Sequence, residues 1–247
     1  MSRKLFVVSD VHGHFAALSE ALYDAGFDRT NEDHIFVSCG DLFDRGSENV
    51  QVYDFVRSLE RKILLRGNHE DMLREVLAGG KLTNDAKSNS TDITVIDLLG
   101  ADAIEENDNI SPKYAEKSAE IVDFIDSMLN FYEEGKYIFT HGWLPHIFEG
   151  GYRPAVDPAW READEAVWKK AHWSQWQQFY RAGALLDGKI IVCGHRPARL
   201  GYWYDESRMN DDDTTFFGNG MIAIDTYTVK SGRVNVLVLD GITEVAK

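Results

Sequence analysis

The chain has 247 residues, a length that suits one ordinary folded domain spanning 1–247. Hydrophobic residues make up 44% of it and charged residues 27%, so the composition is that of a globular protein and excludes a disordered one. The formal net charge of −15 argues against a nucleic-acid-binding surface, because contacts with phosphate backbones need clustered Lys and Arg.

Two features of the sequence bear on the compartment. No apolar stretch approaches the roughly 18–20 residues that a membrane span needs, and the first apolar run reaches Asp10 too soon for a signal peptide. Cys39 and Cys193 are the two cysteines and lie in unrelated contexts, which favours free thiols in a reducing compartment. We therefore expect a cytoplasmic protein without membrane association, while the sequence does not indicate an oligomeric state.

Strand, loop and helix follow one another three times near the start of the chain. Short apolar runs at 4–9, 34–39 and 62–65 each end in a polar cluster, and each cluster leads into residues with helical apolar spacing. This order is typical of a parallel α/β layer, in which ligands gather at the carboxyl ends of the strands. The polar clusters lie at those ends.

The rest of the chain is less regular. Residues 79–92 have the composition of a surface loop, whereas 91–100 and 113–130 have helical spacing and suggest an inserted helical cap. We expect helical insertions near 80–130 and 143–182 within one α/β domain. The strands of the tail would form a second, partly antiparallel sheet. Further strands are predicted at 136–140, 189–193, 201–204, 220–224 and 233–239.

Polar side chains that can bind metals follow five of the predicted strands. They occur in the motifs D-x-H, G-D-x-x-D-R-G, G-N-H-E, H-G and G-H. Taken singly, an Asp before a Gly-containing turn is ordinary turn chemistry, and a lone His more often packs or caps than binds a metal. Five such clusters in order, each after an apolar run, favour one shared site. The potential ligands are Asp10, His12, Asp41, Asn68, His141 and His195.

These residue types suit two divalent cations, which prefer carboxylate oxygens and neutral imidazole nitrogens. Asp10 and His12 stand two residues apart, so in extended backbone they point to the same side and can bind one ion together. Asp41 can bridge two ions through its two oxygens, and Asn68 offers a neutral carbonyl oxygen to the second ion. Ions about 3.5–4 Å apart lower the pKa of a shared water and hold the attacking and leaving oxygens of an in-line displacement.

The motifs resemble those of the calcineurin-like metallophosphoesterases, and more narrowly of their phosphoprotein-phosphatase branch. That branch includes lambda-type Ser/Thr phosphatases and symmetrical bis(5′-nucleosyl)-tetraphosphatases. The resemblance to this branch in particular rests on the motifs GDLFDRG at 40–46 and LRGNHE at 65–70. The resemblance implies a layered α/β fold with a β-sandwich of mixed sheets flanked by helices. It also implies two divalent ions. The His, Asp and Asn donors suit manganese, iron and zinc, of which manganese is the first expectation.

The resemblance further implies a role for each residue, with Asp41 shared between the ions. It implies that His69 protonates the leaving oxygen while Asp44 holds its ring, and that Arg45 binds the phosphate through its planar guanidinium. Electrostatics support the role of His69 as a proton donor, because a carboxylate partner raises the pKa of an imidazole and favours its protonated form. A structural role for His69 is the alternative. The implied ligands are Asp10, His12 and Asp41 for the first ion, and Asp41, Asn68, His141 and His195 for the second.

One position departs from the pattern of the family. The family usually has a second phosphate-binding arginine between the H-G and G-H motifs, often two residues after a tryptophan. Here Lys170 stands two residues after Trp168, so Lys170 is the candidate, as a point charge rather than a planar fork. The rival candidates are Arg153, Arg161 and Arg196.

Residues 143–182 hold five of the six tryptophans. Trp168, Trp173, Trp176 and Tyr180 could form a wall on which a nucleobase stacks. Their spacing is also that of helices that bury an apolar face, and this packing is the favoured interpretation.

We therefore expect a hydrolase in which an activated hydroxide attacks phosphorus directly. A Ser/Thr-protein-phosphatase-like phosphomonoesterase is the first interpretation, and a dinucleoside polyphosphate hydrolase is the alternative. The substrate would thus be a phosphorylated protein or a nucleotide. A non-catalytic binding module is a third interpretation, but it predicts the loss of a ligand or of the acid, and none is missing. Two ions and a few basic residues would supply the local positive field that phosphate needs in an acidic chain.

Overall fold

Two sheets organise the part of the chain that the computed structural model describes, residues 3–204 and 214–240. The first sheet contains β1 (Lys4–Val8), β2 (His34–Ser38), β3 (Lys62–Leu64) and β11 (Leu237–Asp240). Its strand order is β11-β1-β2-β3, with β1, β2 and β3 parallel and β11 antiparallel to β1. The repeated strand–loop–helix order predicted from the sequence is therefore present.

The second sheet is mixed. It contains β4 (Phe131–Glu134), β5 (Tyr137–Thr140), β8 (Ile190–Cys193), β9 (Phe216–Gly218) and β10 (Met221–Ala223). The strand order is β4-β5-β8-β10-β9, in which the central strands are parallel and both outer strands pair antiparallel. A separate two-stranded hairpin is formed by β6 (His146–Glu149) and β7 (Arg153–Val156).

Helices cover the outer faces of the sheets. Short 3₁₀ turns lie at Glu106–Asp108, Pro112–Tyr114, Trp160–Glu162 and Ala198–Tyr204. Within the described ranges, no helix is both long and apolar enough to cross a bilayer. The α-helices are α1 (Phe15–Asp24), α2 (Asn49–Ser58), α3 (Asn68–Gly79), α4 (Asn84–Ser88), α5 (Thr91–Leu99), α6 (Ala115–Asp126), α7 (Glu165–His172), α8 (Trp176–Ala182) and α9 (Thr228–Ser231).

Alternation along the strands explains how the layers stack. In β1, Leu5 and Val7 join a core that Val192 of the second sheet also enters, so this core lies between the sheets. Phe6 and Val8 point the other way, into a core built with the helices. The fold is thus a β-sandwich of mixed sheets flanked by helices, as the resemblance implied.

Three segments differ from the sequence-based predictions. Residues 79–92, predicted as a loop, contain α4, because the hydroxyl of Thr83 accepts from Ala86 N and caps a short polar helix. Residues 201–204, predicted as a strand, lie in a 3₁₀ turn, where Gly201 packs directly on the Phe216 ring. The last predicted strand joins the first sheet rather than the second.

Candidate active site

The loops that follow β1, β2, β3, β5 and β8 converge at one edge of the two sheets. Direct contacts connect loops from both sheets. His195 N donates to Asp10 Oδ2 at 2.9 Å, and His141 Nε2 lies 3.0 Å from Asn68 Oδ1. The structure therefore brings together all the residues that the sequence predicted as ligands, which are Asp10, His12, Asp41, Asn68, His141 and His195.

Asp41 lies in the middle of this cluster. Its Oδ1 is 3.3 Å from His141 Nε2, while its Oδ2 is 3.7 Å from His12 Nε2 and 3.9 Å from His69 Nε2. Two groups of potential ligand atoms share Asp41, namely His12–Asp41–His69 and Asp41–His141–His195, and the atoms of each group lie within 4.8 Å of one another. A carboxylate between two groups of imidazoles is the arrangement that a bridging ligand requires.

Backbone carbonyls fix the orientation of two imidazoles. His12 Nδ1 donates to Phe43 O at 3.0 Å, and His141 Nδ1 donates to Cys39 O at 2.8 Å. A neutral imidazole has one N–H, so these bonds leave Nε2 of each ring with a lone pair that faces the cluster. Ligand atoms at 2.0–2.2 Å from one ion stand about 3 Å apart at a right angle. The donor set therefore fits a divalent cation.

The electrostatics of the cluster also fit a cation. Burial raises the pKa of Asp10 to about 6 and lowers that of His12 to about 3. Burial also disfavours the charged form of His141, but Asp41 and Asp10 outweigh it and raise the pKa of His141 to about 10. Although burial opposes its ionisation, the pKa of Asp41 is held well below its usual range by His141 and His69. A divalent cation would replace the proton on His141, since imidazoles bind metals in their neutral form.

Left-handed backbone conformations concentrate at these loops. Such conformations are uncommon for non-glycine residues and cost about 1–3 kcal/mol each, so surrounding contacts must hold them. They turn the chain sharply at the strand ends and direct the side chains toward the cluster. Of the ten described non-glycine residues with positive φ, six belong to the predicted site, namely Asp10, His12, Asp41, Asp44, Arg45 and His195.

Glu70 connects the loops that follow β2 and β3. Its carboxylate accepts from the backbone N–H groups of Asp41 at 2.8 Å, Leu42 at 2.7 Å and Gly67 at 2.8 Å. Glu70 is fully buried, and burial raises its pKa to about 7. A Cβ at Gly67 would lie 2.2 Å from Asp41 Oδ1, so only glycine fits there. Glu70 thereby holds Asp41 in place through its backbone.

His69 and Asp44 form a buried imidazole–carboxylate pair beside the cluster. His69 Nδ1 donates to Asp44 Oδ2 at 2.7 Å, and Asp44 also accepts from the hydroxyls of Thr91 at 2.8 Å and Thr94 at 2.5 Å. Burial works to lower the pKa of His69, but Asp41 and Asp44 outweigh it and raise this pKa. The ring is therefore oriented and favours its protonated form.

A cleft of about 550 Å³ opens over the cluster, and three arginines line it. Arg45 Nη2 lies 3.3 Å from His69 Nε2, and Arg196 and Arg199 belong to the loop that follows β8. Arg161 and Arg153 are two further candidates for the second phosphate contact, and both lie outside this cleft. Arg161 pairs with Glu133, and Arg153 is exposed on the β6–β7 hairpin.

Lys170, the predicted second phosphate contact, is not among the residues that line this cleft. The buried face of α7 carries Trp168 and Ala171, and Lys170 is exposed on another face. Gln175 lines the cleft instead, two residues after Trp173. The residue two positions after the tryptophan that lines the cleft is therefore a neutral amide rather than a basic side chain.

The tryptophans of 143–182 do not form one wall. Trp168 and Trp176 are 1% and 0% exposed, so the packing interpretation is correct for them. Trp173 is 48% exposed and lines the cleft, where its ring centroid lies 6.0 Å from that of His195. Trp173 is thus the tryptophan of this group that a substrate can reach.

Asp225 is a cleft residue that the sequence reasoning missed. It follows β10, is buried, and accepts from Tyr227 N at 2.5 Å. Burial and the nearby Asp10 raise its pKa well above the usual range. The apolar run of β10 ends in an aspartate as β1 does, so the strand-end pattern could have found it.

This fold and site define a known class of enzyme. The profile of the calcineurin-like phosphoesterase family matches residues 3–224, and the chain belongs to that family. Enzymes of this family are metallophosphoesterases that use divalent metals.

Its curated relatives carry two different substrate names. Serine/threonine-protein phosphatase 1 of Salmonella typhimurium is 35% identical over 81 residues, which are 33% of this chain and 36% of that protein. The symmetrical bis(5′-nucleosyl)-tetraphosphatase of Coxiella burnetii is 33% identical over 84 residues, which are 34% of this chain and 28% of that protein. The chain therefore matches about a third of the length of these relatives.

Solved structures agree on the fold. A structure described as a candidate diadenosine tetraphosphatase has a TM-score of 0.57 and 14% identity, and the match covers 98% of this chain and 92% of that one. The cold-active protein-tyrosine phosphatase of a Shewanella species has a TM-score of 0.51 and 17% identity, with 96% and 75% covered. At these identities the likeness shows the fold alone.

Proposed function

We propose that this chain is a dinuclear metal-dependent phosphoester hydrolase. The supporting observation is the position of Asp41, whose two oxygens face separate groups of imidazoles. When bound, the two ions would supply an activated water and neutralise the charge of the phosphate. Manganese is the proposed metal, and the same donors suit iron and zinc. The proposed ligands are Asp10, His12, Asp41, Asn68, His141 and His195.

His69 is the proposed general acid. As the water oxygen bonds to phosphorus, the bond to the leaving oxygen breaks with its electron pair, and that oxygen takes the proton from His69 Nε2. Asp44 holds the ring through the 2.7 Å bond to Nδ1 and favours the imidazolium. Arg45, whose Nη2 is 3.3 Å from the same imidazole, is proposed to bind the non-bridging phosphate oxygens.

Two substrate classes are proposed. A phosphorylated Ser/Thr side chain is the first, which would make the enzyme a protein-phosphatase-like phosphomonoesterase, and the Salmonella relative supports it. A dinucleoside polyphosphate is the second. It is supported by arginines in two different loops of the cleft and by the exposed Trp173, which a base could stack on.

Hydrolysis of p-nitrophenyl phosphate with added manganese tests the reaction itself. The wild-type chain should hydrolyse it, and Asp41→Asn should abolish turnover because the bridge is lost. Near-normal activity of Asp41→Asn would exclude Asp41 as the bridge. The kcat/KM values of a phosphothreonine peptide and of diadenosine tetraphosphate then decide between the two substrate classes.

We also propose a single domain over 1–247, with the α4–α6 region and the 143–182 region as additions to the sandwich. Residues 1–2, 205–213 and 241–247 of that span lie outside the described residues. A cytoplasmic location is proposed as well. It is supported by the two cysteines, Cys39 and Cys193, which are both free and buried.

A further inference from the structure

Two arginines flank the ligand cluster at opposite ends. Arg45 is in contact with His69, in the group of imidazoles that also contains His12. Arg196 directly follows His195, in the other group. Both arginines line the cleft that opens over the cluster. A phosphate bound between the two groups therefore has a guanidinium on either side.

Arg196 lines the cleft and has no ion pair with a carboxylate among the described residues. Its buried Nε has no hydrogen-bond partner there, as is also true of the Nε atoms of Arg61 and Arg66. Arg66, by comparison, has carboxylates of Asp71 and Asp126 at 3.2 and 3.6 Å. Because Arg196 has no such carboxylate, an anion bound in the cleft would be the counter-charge of its guanidinium.

The backbone around Arg196 is held rigidly. Arg196 N donates to Gly194 O at 2.7 Å, and Arg196 O accepts from Trp176 Nε1 at 3.0 Å. Pro197 follows and fixes its own φ, and Ala198 N donates to Asp225 O at 2.8 Å. The guanidinium is therefore attached to a preorganised loop, as a specific binding site requires.

Arg199 extends the same basic end of the cleft. It lines the cleft, and its guanidinium lies 5.3 Å from the ring centroid of Tyr227. The cleft volume of about 550 Å³ is within the range of about 300–1,000 Å³ for small-molecule sites, so it has room beyond the phosphate over the metal ligands. Two of the three arginines that line the cleft are therefore supplied by the loop that follows β8.

We propose that Arg196, with Arg199 beside it, binds a second phosphate of the substrate, joined by an anhydride oxygen to the phosphate that is hydrolysed. The planar guanidinium matches the oxygens of such a group in a bidentate manner. The bond that breaks is the one to the leaving oxygen, which keeps the electron pair and takes the proton from His69 as proposed above, while Arg196 offsets the charge of the second phosphate. This inference rests on the proposed hydrolase and deepens its second substrate class.

The test compares substrates with and without a phosphate chain. Two ratios are measured: the kcat/KM of inorganic tripolyphosphate and the kcat/KM of ATP, each divided by the kcat/KM of p-nitrophenyl phosphate. Both ratios should fall about 10- to 100-fold in Arg196→Gln, because a charge-assisted contact is lost. Arg196→Lys should recover part of the loss, since it keeps the charge without the fork. Arg233→Gln makes the same charge change at an exposed position outside the cleft and should leave both ratios unchanged. A higher kcat/KM for ATP than for tripolyphosphate would identify the substrate of this subsite as a nucleotide. A higher kcat/KM for tripolyphosphate would identify it as an inorganic polyphosphate.

Inhibition provides a second measurement that does not depend on hydrolysis of tripolyphosphate or ATP. The inhibition constant of methylenediphosphonate against p-nitrophenyl phosphate should rise about tenfold or more in Arg196→Gln, with manganese in excess, while that of methylphosphonate should rise far less. Equal rises for both inhibitors, or wild-type ratios of kcat/KM in Arg196→Gln, would overturn the subsite while leaving the proposed hydrolase intact. A wild-type chain that hydrolyses none of the substrates would instead overturn the proposed function.

Discussion

The partner of Nδ1 separates the imidazoles of the site into two kinds. In His12 and His141 this nitrogen donates to a backbone carbonyl, so Nε2 faces the cluster and can bind a metal when the ring is neutral. In His69 it donates to the carboxylate of Asp44, which favours the charged ring. The first kind suits a metal ligand, and the second suits a proton donor.

His69→Asn should therefore lower kcat by about 10²- to 10⁴-fold, because the leaving oxygen loses its proton donor. The manganese content of the purified variant should equal that of the wild type. His146→Asn, which changes a histidine outside the cleft, should keep wild-type activity. Loss of metal in His69→Asn would instead identify His69 as a metal ligand. The structure permits that role, because His69 lies in one group of potential ligands with His12 and Asp41.

Gly194 has no space for a side chain. An added Cβ would lie 2.1 Å from Asp10 Oδ2 and 1.8 Å from Ser9 Oγ, so Asp10 must move. Gly194→Ala should therefore lose manganese and activity together, as measured by metal analysis and hydrolysis of p-nitrophenyl phosphate. Gly79→Ala is the matched control, because a Cβ there meets nothing within 4 Å. Full metal content and activity in Gly194→Ala would contradict this displacement of Asp10.

At the scale of elements, the site arises because parallel strands deliver their ends to one edge. The sequence predicted this for β1, β2 and β3, since apolar runs followed by polar clusters are local signals. It did not predict the orientation of Lys170, which depends on which face of α7 packs inward. It also missed the β6–β7 hairpin, whose residues are largely exposed and so lack a buried alternating pattern.

Glu70→Gln should destabilise the link between the loops after β2 and β3. An amide nitrogen cannot accept from a backbone N–H, so at least one of the three buried donors would lose its partner. Urea denaturation should show a loss of about 1–3 kcal/mol in the free energy of unfolding. Glu75→Gln, at an exposed site on the same helix, should change it by less than about 0.5 kcal/mol. Equal stability of both variants would contradict the role of Glu70.

At the scale of the whole molecule, an acidic chain contains a cleft in which arginines balance the aspartates. The net charge is −15, yet the cleft is lined by three arginines and three aspartates, to which two divalent ions would add four positive charges. Exposed carboxylates elsewhere are screened within about 8–10 Å, so this local balance governs the approach of phosphate. The sequence predicted the sandwich through the resemblance. It could not predict that β11 pairs with β1, because such pairing joins distant segments.

The number of bound ions tests the central claim most directly. Elemental analysis of the chain, purified with manganese and freed of excess metal, should find about two ions per chain, because Asp41 is shared by two groups of ligands. Asp41→Asn should bind fewer ions under the same conditions. A wild-type chain that is fully active without bound metal, or that binds a single ion at full activity, would contradict the dinuclear site.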